Sequence, residues 1–182
     1  MSKIVLFTGG ARSGKSTRAE QYAGRLGRPV LYLATAEAGD DEMRDRIDLH
    51  RRQRPTSWAT LEVPTAVAAT LTTLDVGTVV LIDCLSLLVS NLLLAHEPNA
   101  AAVVDAEIAS LIGAAHAREL TLIVVTNEVG MGIVPAYPLG RTYRDLLGRA
   151  NQRIAAAAAE VYLLVCGIAV EMRALEAAWA RG

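Results

Sequence analysis

The chain is poor in the features that would export it, thread it through a bilayer or hold it on a nucleic acid. It has two cysteines in 182 residues, Cys84 and Cys166. They show no metal-ligand spacing and build no disulfide framework, which points to a reducing, cytoplasmic setting. Both lie in apolar, strand-like runs, so both are expected to be small buried hydrophobes. Net charge is −1, which supplies no basic field for general nucleic-acid binding and weighs against a polymer-driven motor. Long hydrophobic runs are absent as well. Leu85–Ala95 is short and contains Ser86, Ser90 and Asn91, and residues 154–170 are broken by Glu160 and Gly167. Each falls below the ~20 residues of a membrane helix, so no membrane span is expected. The opening run Ile4-Val5-Leu6-Phe7 is too short for a signal peptide. No internal repeat or break in composition divides the chain, which predicts one domain over residues 1–182 with a sizeable core. An Asn-Lys-x-Asp guanine-reading signature is also missing, which argues against a dedicated regulatory GTP switch.

What is present begins at residue 9. Gly9-Gly10-Ala11-Arg12-Ser13-Gly14-Lys15-Ser16 fits the phosphate-loop pattern Gly-x-x-x-x-Gly-Lys-Ser, directly after an apolar strand and before a helical stretch. Backbone N–H groups of such a loop cradle phosphates, and the helix that follows adds the positive end of its dipole. Lys15 is expected to reach the terminal phosphates and Ser16 to bind Mg²⁺. A Cβ at Gly9 or Gly14 would block the turn or the phosphate. The pattern implies a nucleoside triphosphate ligand.

Apolar runs of strand length alternate with helical patterns along the rest of the chain. Strands are predicted at Ile4–Thr8, Val30–Ala34, Val79–Ile82, Leu122–Thr126 and Val161–Val165. Helices are predicted at Ser16–Leu26, Asp41–Arg52, Thr65–Thr73, Leu85–Ala95, Ala100–Glu119 and Tyr143–Ala159. Continuous apolarity in the strands fits burial on both faces. The expected fold is α/β, a mostly parallel sheet with helices on both faces. The alanine tracts need no role beyond helix propensity and close packing. Arg141, Arg144, Arg149 and Arg153 suit either a solvated helix face or an anion site.

Three further segments carry chemistry. Asp83 ends an apolar strand, where a phosphate-loop protein places the carboxylate that holds Mg²⁺ or its water; capping the next helix is the other role such an Asp can play. Residues 40–55 form the densest charge in the chain. Asp41 and Asp45, Glu42 and Arg46, and Arg46 and His50 are four apart, so a helix there would pair several of them on one side. His50 heads Arg51-Arg52-Gln53-Arg54, a run suited to oxyanions, after the second strand, where α/β sheets place ligands. Thr126-Asn127-Glu128-Val129-Gly130-Met131-Gly132 follows another strand and would form a loop on the edge that carries Gly9–Ser16. Either substrate contact or an ordinary strand-to-helix connection would explain it.

Several segments together resemble one family. Thr8 to Ser16, Tyr32-Leu33-Ala34-Thr35-Ala36, Asp41-Glu42-Met43 with Arg46-Ile47 and His50, Arg54-Pro55, Trp58, Glu62, Leu81-Ile82-Asp83-Cys84-Leu85, Thr126 to Gly130 with Gly132 to Pro135, and Arg144-Asp145-Leu146 with Gly148 to Arg153 carry the likeness. The chain resembles the bifunctional adenosylcobinamide kinase / adenosylcobinamide-phosphate guanylyltransferase family of cobalamin biosynthesis. The resemblance implies a RecA-like P-loop fold, homotrimers, and two reactions drawing on ATP and GTP. The hydroxyl of adenosylcobinamide is phosphorylated. GMP is then attached to that phosphate through a GMP-histidine intermediate, which falls on His50. It further implies nucleotide contacts at Gly9 to Ser16, Ala34, Thr35, Ala36, Arg51, Arg52, Gln53, Arg54, Glu62 and Asp83. A plain P-loop kinase would need the loop and Asp83 but not His50.

Overall fold

A computed structural model describes residues 1–36, 55 and 57–180. Seven strands form one sheet: β1 Lys3–Gly9, β2 Val30–Ala34, β3 Ala59–Glu62, β4 Val79–Asp83, β5 Thr121–Val125, β6 Glu160–Val165 and β7 Ile168–Glu171. Their spatial order is β3-β2-β4-β5-β1-β6-β7, and only the β6–β7 pair is antiparallel. The six helices among the described residues are α1 Lys15–Arg25, α2 Val67–Thr72, α3 Leu85–Ala95, α4 Ala100–Ala117, α5 Pro138–Ala157 and α6 Met172–Leu175.

Strand alternation explains the two cores. Ile4, Leu6, Leu33, Val80, Ile82, Leu122 and Val124 face α2 to α5, whose Leu71, Leu88, Ile108, Leu111, Leu147 and Ile154 are buried against them. Val5, Phe7, Tyr32, Leu81, Ile123 and Val125 face the other way and pack on Ala19 and Ala23 of α1. Helices therefore lie on both faces, as the apolar strands predict, but unequally among the described residues. α4 is apolar and long enough to match a membrane span by length and composition. Its buried Val104, Ile108 and Leu111 belong to the core against the sheet.

The five predicted strands and most helices stand within a residue or two of the expected bounds. α5 starts five residues earlier than its apolar period indicates, because Pro138 occupies its first position, where a fixed φ and a missing N–H cost nothing. Two strands went unpredicted. Every residue of β3 is exposed, and β7 is a mostly exposed edge strand, so neither carries the doubly buried signature. Cys166 also departs from expectation: Cys84 is buried, but Cys166 is exposed in the β6–β7 turn at φ 51°. The predicted helix Asp41–Arg52 lies outside the described residues.

Candidate nucleotide site

Parallel strands put their carboxyl ends on one edge, and that edge gathers the functional side chains. β1 delivers the chain into the loop at Gly9 and α1 begins at Lys15. The loop needs glycine at two places for different reasons. A Cβ on Gly9 would stand 2.5 Å from the Leu164 carbonyl oxygen and 2.7 Å from Ser13 Oγ. Gly14 sits at φ +90°, where an L side chain is strained, against Gly167 Cα at 3.4 Å. The β6–β7 turn braces the loop from outside: Gly167 N donates to Ser13 O at 3.0 Å, and Arg18 donates to Gly167 O through Nε at 3.2 Å and its terminal nitrogen at 3.0 Å.

Lys15 is folded back on the loop, its Nζ donating to Gly10 O at 3.0 Å. Burial lowers its pKa, with Cys84 and Asp83 pulling the other way. Ser16 starts α1 facing β4, two strands away from β1, and its Oγ donates to Asp83 Oδ1 at 3.4 Å. Asp83 Oδ2 accepts from Tyr32 OH at 2.6 Å. Asp83 thus turns its carboxylate toward the loop serine, while the backbone carbonyl of Cys84 accepts the first-turn hydrogen bond of α3. Among the described residues no three His, Cys, Asp or Glu side chains cluster for a metal. A single carboxylate beside a hydroxyl suits a hard cation that takes its other ligands from phosphates and water.

Next to Asp83 the strand ends are stitched together. Thr35 is fully buried; its Oγ1 donates to Cys84 O at 2.7 Å and accepts from Cys84 N at 2.8 Å. Its hydroxyl is therefore spent on joining β2 to β4. Asn91 Nδ2 donates to Thr35 O and Pro64 O. Ala34 ends β2 in register with Glu62, which ends β3, so both reach the same edge, with Ala36 two residues on. Burial pushes the Cys84 thiol up to about 11, with the Asp83 charge adding to it.

On the other side of β4, β5 runs into Thr126, Asn127 and Glu128. Glu128 N donates to Gly9 O at 3.0 Å, which ties this segment to the phosphate loop. Thr126 Oγ1 donates to Asn151 Oδ1 at 2.7 Å, Asn151 Nδ2 donates to Asn127 O at 3.0 Å, and Asn127 Nδ2 donates to Ser86 Oγ at 2.9 Å. Glu128 Oε1 accepts from Gly130 N at 2.6 Å.

The structure therefore brings Gly9 to Ser16, Ala34, Ala36, Glu62 and Asp83 to one edge. His50 and Arg51 to Arg54 lie outside the described residues. The α5 arginines form no anion site together: Arg141 holds the carbonyls of Pro135 and Ala136, Arg153 pairs with Asp105, Arg144 with Asp145, and Arg149 is exposed. Sequence reasoning gave no role to Tyr32 or Asn151. A phenol in an otherwise aliphatic buried strand needs a hydrogen-bond partner, and that signal alone would have pointed Tyr32 toward a neighbouring strand end.

The chain superposes on the RadB recombinase with a TM-score of 0.53 at 16% identity, over 88% of this chain and 73% of that one. It superposes on the flagellar accessory protein FlaH of Methanocaldococcus jannaschii with a TM-score of 0.50 at 14% identity, over 88% and 70%. At such identities the likeness concerns the fold alone, a RecA-like P-loop fold. Residues 5–172 match the family described as cobinamide kinase / cobinamide phosphate guanyltransferase. The bifunctional adenosylcobalamin biosynthesis protein CobU of Escherichia coli K12 is 42% identical over 93% of this chain and 99% of its own. CobU of Salmonella typhimurium is 44% identical over the same shares, and CobP of Pseudomonas aeruginosa is 43% identical over 92% and 96%. The chain belongs to the cobinamide kinase / cobinamide phosphate guanyltransferase family.

Proposed function

We propose that this family member carries out both reactions at one nucleotide seat, with His50 as the guanylyl carrier. In the first, the hydroxyl oxygen of adenosylcobinamide attacks the γ-phosphorus of ATP or GTP. The β–γ bridge breaks, the nucleoside diphosphate leaves, and the hydroxyl proton passes to a base. Lys15 and the loop amides bear the charge that develops on the phosphates. Ser16 and Asp83 would hold Mg²⁺, which neutralises phosphate charge when bound. Glu128 is the base we favour, because its segment is tied to the loop at Gly9. Full activity in Glu128→Gln would remove it.

In the second reaction an imidazole nitrogen of His50 attacks the α-phosphorus of GTP. The N–P bond forms as the α–β bridge breaks, and pyrophosphate leaves. An oxygen of adenosylcobinamide phosphate then attacks that phosphorus, releasing His50 and giving adenosyl-GDP-cobinamide. A neutral imidazole is available near pH 7, since its ordinary pKa is ~6.5. The same single domain serves both steps, in a cytoplasmic homotrimer.

The observation that carries this reading is the approach of Ser16 to Asp83 beside an intact phosphate loop, in a chain that matches the family over residues 5–172. Incubation with adenosylcobinamide, ATP, GTP and Mg²⁺ should yield corrinoid masses for both the phosphate and the GDP adduct. With labelled GTP the wild type should carry acid-labile GMP and His50→Asn should carry none. Label retained by His50→Asn would end the histidine assignment.

A further inference from the structure

The two reactions need opposite ends of a triphosphate at the acceptor, and the fold offers two ways off the loop. On one side of β1 lie β5 and β4, with Asp83, Asn127 and Glu128 at their ends. Phosphoryl transfer requires the terminal phosphate on that side, next to the Ser16–Asp83 pair. The nucleoside, at the far end of the same triphosphate, then has to leave on the other side of β1. That side is β6 and the β6–β7 turn, which sits directly on the loop through Gly167 N to Ser13 O at 3.0 Å.

A groove opens at that turn. It has a volume of about 390 Å³ and runs between α1 and the β6–β7 hairpin, within the range of about 300–1,000 Å³ usual for small-ligand sites. Phe7, Tyr22 and Tyr162 line it, with Phe7 stacked on Tyr162 at 4.9 Å and edge-on to Tyr22 at 5.6 Å. Arg18 and Gln21 of α1 form its wall and Ile168 its lip. Ile168 is 66% exposed, a large apolar side chain left open beside the loop. Gln21 Oε1 is taken by Arg18 at 3.0 Å, which fixes the amide and leaves its NH₂ to donate to a ring nitrogen or carbonyl. An apolar lip, a floor of Tyr22 and Tyr162, one oriented amide and the flanking Arg18 and Arg25 guanidinium groups suit a purine nucleoside beside its phosphates.

We propose that this groove seats the purine nucleoside of the phosphoryl donor in the kinase step, with Ile168 and Gln21 as its contacts. GTP in the guanylyl step uses the opposite exit, over Ala34, Ala36 and Glu62. The inference rests on the two-step reading above. It makes one phosphate loop serve two nucleotide poses, and it gives the donor base a contact set separate from that of the transferred GMP.

The test uses the full chain with Ile168→Ser, Gln21→Ala and the double substitution. Both positions are exposed, so the fold should tolerate the changes. Three quantities are measured: KM for ATP in adenosylcobinamide phosphorylation, KM for GTP in labelling of the enzyme with GMP, and inhibition by inorganic tripolyphosphate. The double variant should raise the ATP KM about tenfold, through the loss of one apolar and one hydrogen-bonded base contact. Its kcat at saturating ATP, its GTP KM and its tripolyphosphate inhibition should stay at wild-type values. An unchanged ATP KM overturns the proposal, and so does an equal rise for ATP and GTP. Failure of the underlying reading looks different: Lys15→Ala would then keep full tripolyphosphate inhibition.

Discussion

Replacing Gly9 by alanine tests whether the phosphate loop is held by close packing against β6. The added carbon would lie 2.5 Å from a backbone oxygen of Leu164 and 2.7 Å from Ser13 Oγ. Ser13 could turn its hydroxyl aside, but the Leu164 carbonyl belongs to a paired strand and cannot leave alone. Restoring ordinary contact at 3.4 Å requires loop and strand to part by about 0.9 Å, an overpacking that costs about 1–3 kcal/mol. The backbone at φ +156° adds about 1–3 kcal/mol for a residue with a side chain. A total of about 4 kcal/mol in a chain of this size lowers Tm by about 8–16 °C. Gly10 is the control, because nothing lies within 4 Å of its added carbon and Gly10→Ala should stay within about 0.5 kcal/mol of wild type. Differential scanning calorimetry without nucleotide reads both, and titration with GTP then shows whether the seat survives. A Gly9→Ala protein that melts with the wild type and binds GTP equally well would refute the packing argument.

Other consequences follow from single contacts. Tyr32→Phe removes the 2.6 Å hydrogen bond to Asp83 and should weaken Mg²⁺-dependent phosphorylation about 10–100-fold, with the melting curve little changed; kinase assays across a Mg²⁺ series decide it. Asn151→Ala strands the buried Thr126 hydroxyl and the Asn127 carbonyl and should cost about 2–4 kcal/mol, measured by urea unfolding. Iodoacetamide at pH 8 should label exposed Cys166 and spare Cys84, whose buried thiol is held up to about 11; peptide mass analysis reads the two sites. Burial lowers the Lys15 pKa, and a bound phosphate would favour its charged form. Nucleotide binding should therefore take up protons as pH rises through the lowered pKa of Lys15, and affinity should fall over the same range. Calorimetry in buffers of different ionisation heat should show that uptake in the wild type and none in Lys15→Arg, because guanidinium does not titrate there.

The central sheet was legible because β1, β2, β4 and β5 are nearly continuous apolar runs buried on both faces; β6 reads the same way from its sequence, although only Leu164 in it is fully buried. β3 was not: Ala59 to Glu62 are all exposed, and the strand exists through its ladder with β2 rather than through any pattern of its own. β7 failed for a related reason, as an edge hairpin strand with little to bury. At the site, Gly9 to Ser16 could be read because a phosphate cradle dictates residue type at fixed spacing. Asp83 could be read because it interrupts an aliphatic strand. Asn151 could not, since a helix amide gains its meaning only once α5 is laid against the end of β5. Thr35 marks the limit of a motif. Its place in a family block assigns it to the nucleotide, yet its hydroxyl is committed to Cys84 on both its donor and acceptor sides. Its backbone is engaged as well, the N–H donating to Asp83 O and the carbonyl accepting from Asn91 Nδ2.

The two flanks of β1 are built to different standards, and the chemistry explains why. Toward β5 and β4 the strand ends are cross-linked by Thr35, Ser86, Asn127 and Asn151. In the proposed phosphoryl transfer, the phosphorus lies on this flank beside Ser16 and Asp83, and small displacements are costly for an in-line displacement. Toward β6 and β7 the loop is braced at a single turn, by Gly167 and Arg18, beside an exposed edge strand. A nucleoside needs a platform and a polar contact there, not a fixed trajectory. On the two-pose proposal above, the seat presents first the γ- and then the α-phosphorus, and it can be rigid on only one flank. The mismatch between a stitched flank and an open one is the physical form that requirement takes in this fold.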